Sequence, residues 1–167
     1  MPNSKQHFDK AQNNLRFLDS FIDSHQYNDW TVTVAFYTAV HIIEGAIFLE
    51  GSLCYKDIPV SLSHSDELPK VAAQAGIDSP GNYDLSQKTA HILRRYLVDE
   101  NFRDISHFYE VLYTQSRTAR YRVHLFADHI VDMIVSTRLR PIIYWANKNY
   151  NAGFVVKSKL LKTKATK

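Results

Sequence analysis

The chain has 167 residues, 45% hydrophobic and 13% aromatic, which gives one domain enough apolar material for its own core and excludes a disordered chain. The net charge of +3 does not argue for nucleic-acid binding by the body as a whole: residues 157–167 hold five lysines and no acid, leaving 15 basic against 17 acidic residues elsewhere. Cys54 is the single cysteine, which excludes an internal disulfide and a thiolate-only metal site and suits a reducing cytoplasm.

The opening MPNSKQHFDK lacks the apolar run of a signal peptide, and no stretch reaches 18 uninterrupted apolar residues, so a soluble cytoplasmic protein without a membrane partner is predicted. Residues 4–24 read as a first amphipathic helix, with Phe8, Ala11, Leu15, Leu18 and Ile22 at the spacing of one face. A turn at 25–28 follows, with Asn28 or Asp29 as cap. Residues 30–50, WTVTVAFYTAVHIIEGAIFLE, are apolar around most of the circumference and too long for a strand, so they are predicted as the central buried helix. Gly51 ends it, residues 52–63 are predicted as loop, and a short helix runs from Ser63 or Ser65 to Ala75, its start limited by Pro69. GIDSPGNY at 76–83 is a turn region.

Residues 84–140 contain no glycine or proline, yet one rod of about 85 Å would not fit a compact domain. Breaks are therefore predicted within 99–104 and 121–125. A last helix begins near Leu125 with Ile130, Ile134 and Leu139 inward, Pro141 kinks or restarts it, and residues 142–150 close the fold. The sum is an all-α fold, an antiparallel up-and-down four-helix bundle with short accessory helices over residues 1–153, followed by a basic, mobile tail over 154–167.

Chemistry concentrates in residues 106–128, SHFYEVLYTQSRTARYRVHLFAD. On a helix Arg117, Arg120, Tyr121 and His124 share one stripe with Tyr113 and Thr114 a turn earlier. Guanidiniums that stay charged, beside an imidazole, suit a phosphate better than a neutral ligand. Arginines near a helix end also serve simply by pairing with carboxylates or with the helix dipole.

The eight histidines do not fall at metal-binding spacings. His124 and His129 are five apart, His25 and Asp29 sit at a turn, and there is no HExxH, so neither metal nor other cofactor is expected. His41 is predicted as a buried, hydrogen-bonded core residue or an accessory to the Arg117 cleft, with Glu44 near enough to pair with it or to neutralise an arginine. His64 is predicted at the surface, and Arg94, Arg95 and Arg103 on a solvated face. Tyr109, Tyr113, Tyr144 and Trp145 read as core or interface packing, with base stacking open to the exposed ones.

Two motifs, AFYTAVHIIEG at 35–45 in the second helix and SRTARY at 116–121 ending the third long helix, give the chain a pattern that resembles the HEPN domain family over roughly residues 8–145. The resemblance implies a four-helix bundle, usually a homodimer. Such proteins occur in toxin–antitoxin pairs, phage defence and RNA processing, with an antitoxin or nucleotidyltransferase-like protein as partner. Catalytic members are metal-independent endoribonucleases with an arginine, four to six residues, then a histidine near the junction of the third and fourth helices. Arg117 and His124 enclose six residues, whereas Arg120 and His124 enclose three and depart from the pattern; Thr118 supplies the polar residue that often follows the arginine.

The resemblance thus implies Arg117 and His124 as catalytic, with Arg120, Tyr121, Tyr113 and His41 binding substrate. Metal-free RNA cleavage needs a base for the 2′-hydroxyl, cationic donors for the phosphorane and an acid for the 5′-oxygen. One histidine per chain then ties activity to a two-fold dimer. Members without the motif act as nucleotide-binding or protein-interaction modules, which is the alternative reading.

Overall fold

The longest helix, α2 (Asn28–Glu50), is the one the others pack around: burial runs almost unbroken from Thr31 to Ile47. Its β-branched residues are poor helix formers, but tertiary burial outweighs a few tenths of a kcal/mol of propensity per residue. The computed structural model describes residues 3–77, 88–122 and 126–162. Among them the chain is mostly helical, as predicted. The other helices are α1 (Ser4–Phe21), α3 (Leu68–Gln74), α4 (Ala90–Asn101), α5 (Arg103–Tyr121), α6 (Asp128–Ile134) and α7 (Arg140–Tyr150). By length and apolarity α2 alone among the described helices could cross a membrane, and most of that surface is buried within the fold.

α1 opens with a reciprocal capping box in which the Asn3 side chain accepts from the Gln6 amide and the Gln6 side chain accepts from Asn3. Its buried stripe is His7, Ala11, Leu15 and Leu18, continued by Ile22, so His7 takes the inward place predicted for Phe8. The ring of Phe8 instead lies over Gly45 of α2, edge-on to Phe154. A β-carbon at Gly45 would overlap that ring. Gly45→Ala is therefore expected to cost about 1–3 kcal/mol through forced repacking, read as a lower urea midpoint; an unchanged midpoint would show that Phe8 moves aside freely.

The predicted caps of α2 do other work. Tyr27 occupies the cap position, while Asn28 donates to the Phe126 carbonyl (2.7 Å) and to Asp128 (2.8 Å), fastening the start of α2 to the chain entering α6. Gly51, at φ 64°, ends α2 as expected.

The segment predicted as loop forms an antiparallel hairpin, β1 (Ser52–Tyr55) and β2 (Ile58–Ser61), with Tyr55 opposite Ile58. Both turn residues, Lys56 and Asp57, have positive φ, as a two-residue hairpin turn requires. Lys-Asp is a weak turn signal, and Pro59 hides the strand pattern. The hairpin is held from outside: Glu100 accepts from the amides of Lys56 (2.9 Å) and Asp57 (2.7 Å), and Asn101 bonds both the amide and carbonyl of Cys54.

α4 and α5 are separated at Phe102, inside the predicted break, and α5 ends at Tyr121, the first residue of the second. Before Pro141 the chain widens into a π-helical segment, Val135–Leu139, which joins α6 to α7 without a stop. A proline inside a helix lacks a donor and crowds the carbonyl four residues back, and one wider turn relieves both problems.

Residues 154–162 correct the prediction of a mobile tail starting at 154. Phe154, Ser158 and Leu161 are buried, and Asp19 accepts from the amides of Lys157 and Ser158 at 2.9 Å. Gln12 exchanges two bonds with Val155, so the segment lies along α1. The buried Phe154 and Leu161, with the bonds to Asp19 and Gln12, and not its lysines, decide its position.

Candidate functional site

The last two turns of α5 carry the predicted arginines, and they have different fates. Arg117 is exposed, and its side chain makes neither hydrogen bond nor ion pair among the described residues; its guanidinium lies 5.8 Å from the centre of the Tyr113 ring. Arg120 turns inward, donating through Nε to the Ser116 carbonyl (3.1 Å) and through Nη1 to the Tyr37 hydroxyl (3.0 Å). Bonding of an arginine to helix carbonyls thus describes Arg120 and not Arg117.

Arg117 lines a cavity of about 270 Å³ together with Thr114, Thr118, Tyr121 and Arg122. Among the described residues no carboxylate lines it. Glu110, two turns earlier on α5, is engaged by Arg95 at 2.6 Å. Tyr121 is 74% exposed, with the Arg120 guanidinium 5.1 Å from its ring centre, whereas Tyr113 is buried and serves as the floor under Arg117. Arg122, at the cap position of α5 where the chain has turned extended, brings a second guanidinium that sequence reasoning passed over. The C-terminal end of a helix dipole disfavours an anion, so phosphate affinity here has to come from these guanidiniums. His124 lies outside the described residues.

His41 does not join the Arg117 cavity. Its Nδ1 is 3.4 Å from Nδ1 of His7, one ring donating and the other accepting. His7 packs in turn against His64, which approaches Glu44 at 3.5 Å. Glu44 is 1% exposed and accepts from both the amide (3.1 Å) and the hydroxyl of Ser65 and from Nε of Arg94 (2.5 Å). Arg94, predicted on a solvated face, is thus a buried partner, and Glu44 neutralises it rather than an arginine of α5. The missed signal was position: Leu93, Arg94, Leu97 and Val98 repeat at helical spacing on one buried stripe. Ser65, predicted as a cap, gives its hydroxyl to Glu44, and His64 caps the turn instead by accepting from the Asp66 amide.

Burial alone would raise the Glu44 carboxyl; Arg94, His64 and the Ser65 bonds outweigh it and hold it below the usual carboxylate range. Burial drives His41 down to about 4, with the neighbouring His7 and the cations Lys10 and Arg94 adding to it. His7 is lowered by burial as well. Histidines depressed in the native state bind fewer protons than in the unfolded chain between pH 6.5 and about 4, so stability falls as pH falls through that window. The full His41 difference would be about 3 kcal/mol, and because His41 is partly exposed about half is expected. The unfolding free energy at pH 4.5, still at the edge of the carboxylate range, should lie about 1–2 kcal/mol below that at pH 7, and His41→Phe should flatten the profile. A flat wild-type profile would contradict the burial of these rings.

No group of three or more histidine, cysteine, aspartate or glutamate side chains among the described residues is arranged to hold a metal ion. No family model, curated protein or solved structure matches the chain.

Proposed function

We propose that the chain is a HEPN-like four-helix bundle that binds RNA phosphate at the end of α5 and cleaves RNA without a metal, as a homodimer, with Arg117 and His124 as the catalytic pair. One observation carries this reading: among the described residues Arg117 stands exposed and without a carboxylate partner against the Tyr113 ring, in a cavity whose lining is only neutral or basic. A guanidinium without a carboxylate keeps its fork of donors for a phosphate. Support for the bundle comes from four long helical stretches, α1, α2, α5 and the continuous α6–α7, with α2 packed against α1, α5 and α7.

In this reading Arg117 holds two oxygens of the scissile phosphate and stabilises the charge that grows there, while His124 moves a proton. Arg122 adds positive charge, and Tyr121 offers a stacking face. The second proton transfer falls to His124 of the second copy. Arg120 supports from the neighbouring turn, and an antitoxin or nucleotidyltransferase-like protein is the partner the family pattern suggests.

The test is incubation of the purified protein with total RNA in EDTA, beside His124→Ala. Cleavage that persists in EDTA and disappears in the variant supports the enzyme. Identical RNA patterns in all lanes favour the non-catalytic binding module, and loss of cleavage in EDTA overturns the metal-free mechanism.

A further inference from the structure

The Arg117 cavity accounts for one phosphate, but a second group of donors lies beside it. Arg120 reaches the Tyr37 hydroxyl at 3.0 Å, and its guanidinium is 5.6 Å from the centre of the Tyr37 ring. His91 of α4 packs against the same ring at 6.0 Å and against Tyr113, the floor under Arg117, at 6.4 Å. Two tyrosines thus each carry an arginine and a common histidine.

The tautomer of His91 is decided by its neighbour. Arg94 Nη1 lies 3.2 Å from His91 Nδ1, and a guanidinium can only donate, so Nδ1 accepts and the proton of the neutral ring sits on Nε2. Arg94 is itself anchored by Glu44. Burial and then the charges of Arg94 and Arg120 keep the imidazole neutral, against weaker pulls from Asp66 and Glu44. Nε2–H has no partner among the described residues. Tyr37, whose oxygen accepts from Arg120, retains its own proton to donate.

We propose that Arg120, the Tyr37 hydroxyl and His91 Nε2–H form a second phosphate subsite next to the Arg117 cavity, so that the protein recognises an oligonucleotide through two backbone phosphates rather than a mononucleotide. This rests on the reading of the Arg117 cavity as a phosphate site but does not require cleavage. The subsite is made wholly of donors, of which only Arg120 is charged. The role of His91 is to touch a phosphate oxygen as a fixed neutral donor; it is not a base.

Fluorescence anisotropy with 2′-O-methyl RNA separates binding from cleavage. A trinucleotide should bind at least ten-fold tighter than a 5′-mononucleotide. Loss of a hydrogen bond to a charged group costs about ten-fold in affinity, so His91→Ala should weaken the trinucleotide by about that factor and Tyr37→Phe by somewhat less, both leaving the mononucleotide unchanged. His91→Gln, which keeps a donor near the Nε2 position, should stay within about three-fold of wild type and controls for folding.

Salt provides the second readout: each phosphate neutralised by a cation adds about 0.7 to the slope of log affinity against log salt for a single strand. Arg120→Ala should reduce the slope by about that amount, whereas His91→Ala should leave it unchanged. Equal binding of mononucleotide and trinucleotide, or a His91→Ala protein that binds the trinucleotide normally, overturns the subsite and leaves the Arg117 reading standing. The expected binding pattern without RNA cleavage keeps the subsite and overturns the nuclease. Absence of binding by either probe overturns both.

Discussion

Glu44→Gln is expected to destabilise the protein by about 3–5 kcal/mol, the cost of leaving a buried guanidinium without its anion. Arg94 and Glu44 are 4% and 1% exposed, and among the described residues no other carboxylate pairs with Arg94. With domain stabilities of about 5–15 kcal/mol, this is a large part of the total. The substitution keeps size but turns one of two accepting oxygens into a donor, so the loss combines the missing charge with one unpaired donor of Ser65 or Arg94. Removing both partners tests that logic: Glu44→Met with Arg94→Met should recover to within about 1–2 kcal/mol of wild type, since two apolar side chains of similar volume leave no charge uncompensated. Guanidinium-chloride unfolding of Glu44→Met, Arg94→Met and the double variant, beside Glu44→Gln, measures the cycle. A cost below about 1 kcal/mol for Glu44→Gln would mean that Arg94 reaches water when its partner is neutral.

The second large effect is on activity and leaves stability alone. Arg117→Ala should lower RNA cleavage in EDTA by about 10²–10³-fold, the usual consequence of removing one donor aimed at a developing oxyanion. Its unfolding midpoint should move little, because an exposed side chain whose contact is the Tyr113 ring contributes within about 1 kcal/mol. Arg117→Lys should restore only a small part, since an ammonium offers neither the planar fork nor the same stacking on Tyr113. Arg120→Ala should behave differently, lowering stability as well as activity, because its guanidinium ties α5 to Tyr37 of α2. Full cleavage by the Arg117→Ala protein would remove this arginine from the mechanism and the nuclease reading with it.

Much of the fold was legible locally because it rests on period and punctuation. The uninterrupted apolar run of α2, the glycine that ends it, the break near Phe102 and the end of α5 at Tyr121 all follow from spacing and from residues that start or stop a helix. The hairpin was hidden because its pairing is settled elsewhere. Glu100 and Asn101, more than forty residues away, satisfy the backbone of a turn and strand whose own sequence argues weakly for either. The π segment before Pro141 was legible only as a kink.

At the site, sequence by itself determined that two arginines and two tyrosines share one end of α5, because four residues on a helix have few ways to be apart. Tertiary structure alone decided which arginine stays free. Tyr37 of α2 draws Arg120 inward, and Arg95 of α4 occupies Glu110, the nearer of the two acids on α5. It also sent Glu44 to Arg94 and His41 to His7, pairings that join separate helices. A charge in a folded chain is matched by whatever stands nearest in space, and for these side chains the nearest group lies tens of residues away along the chain.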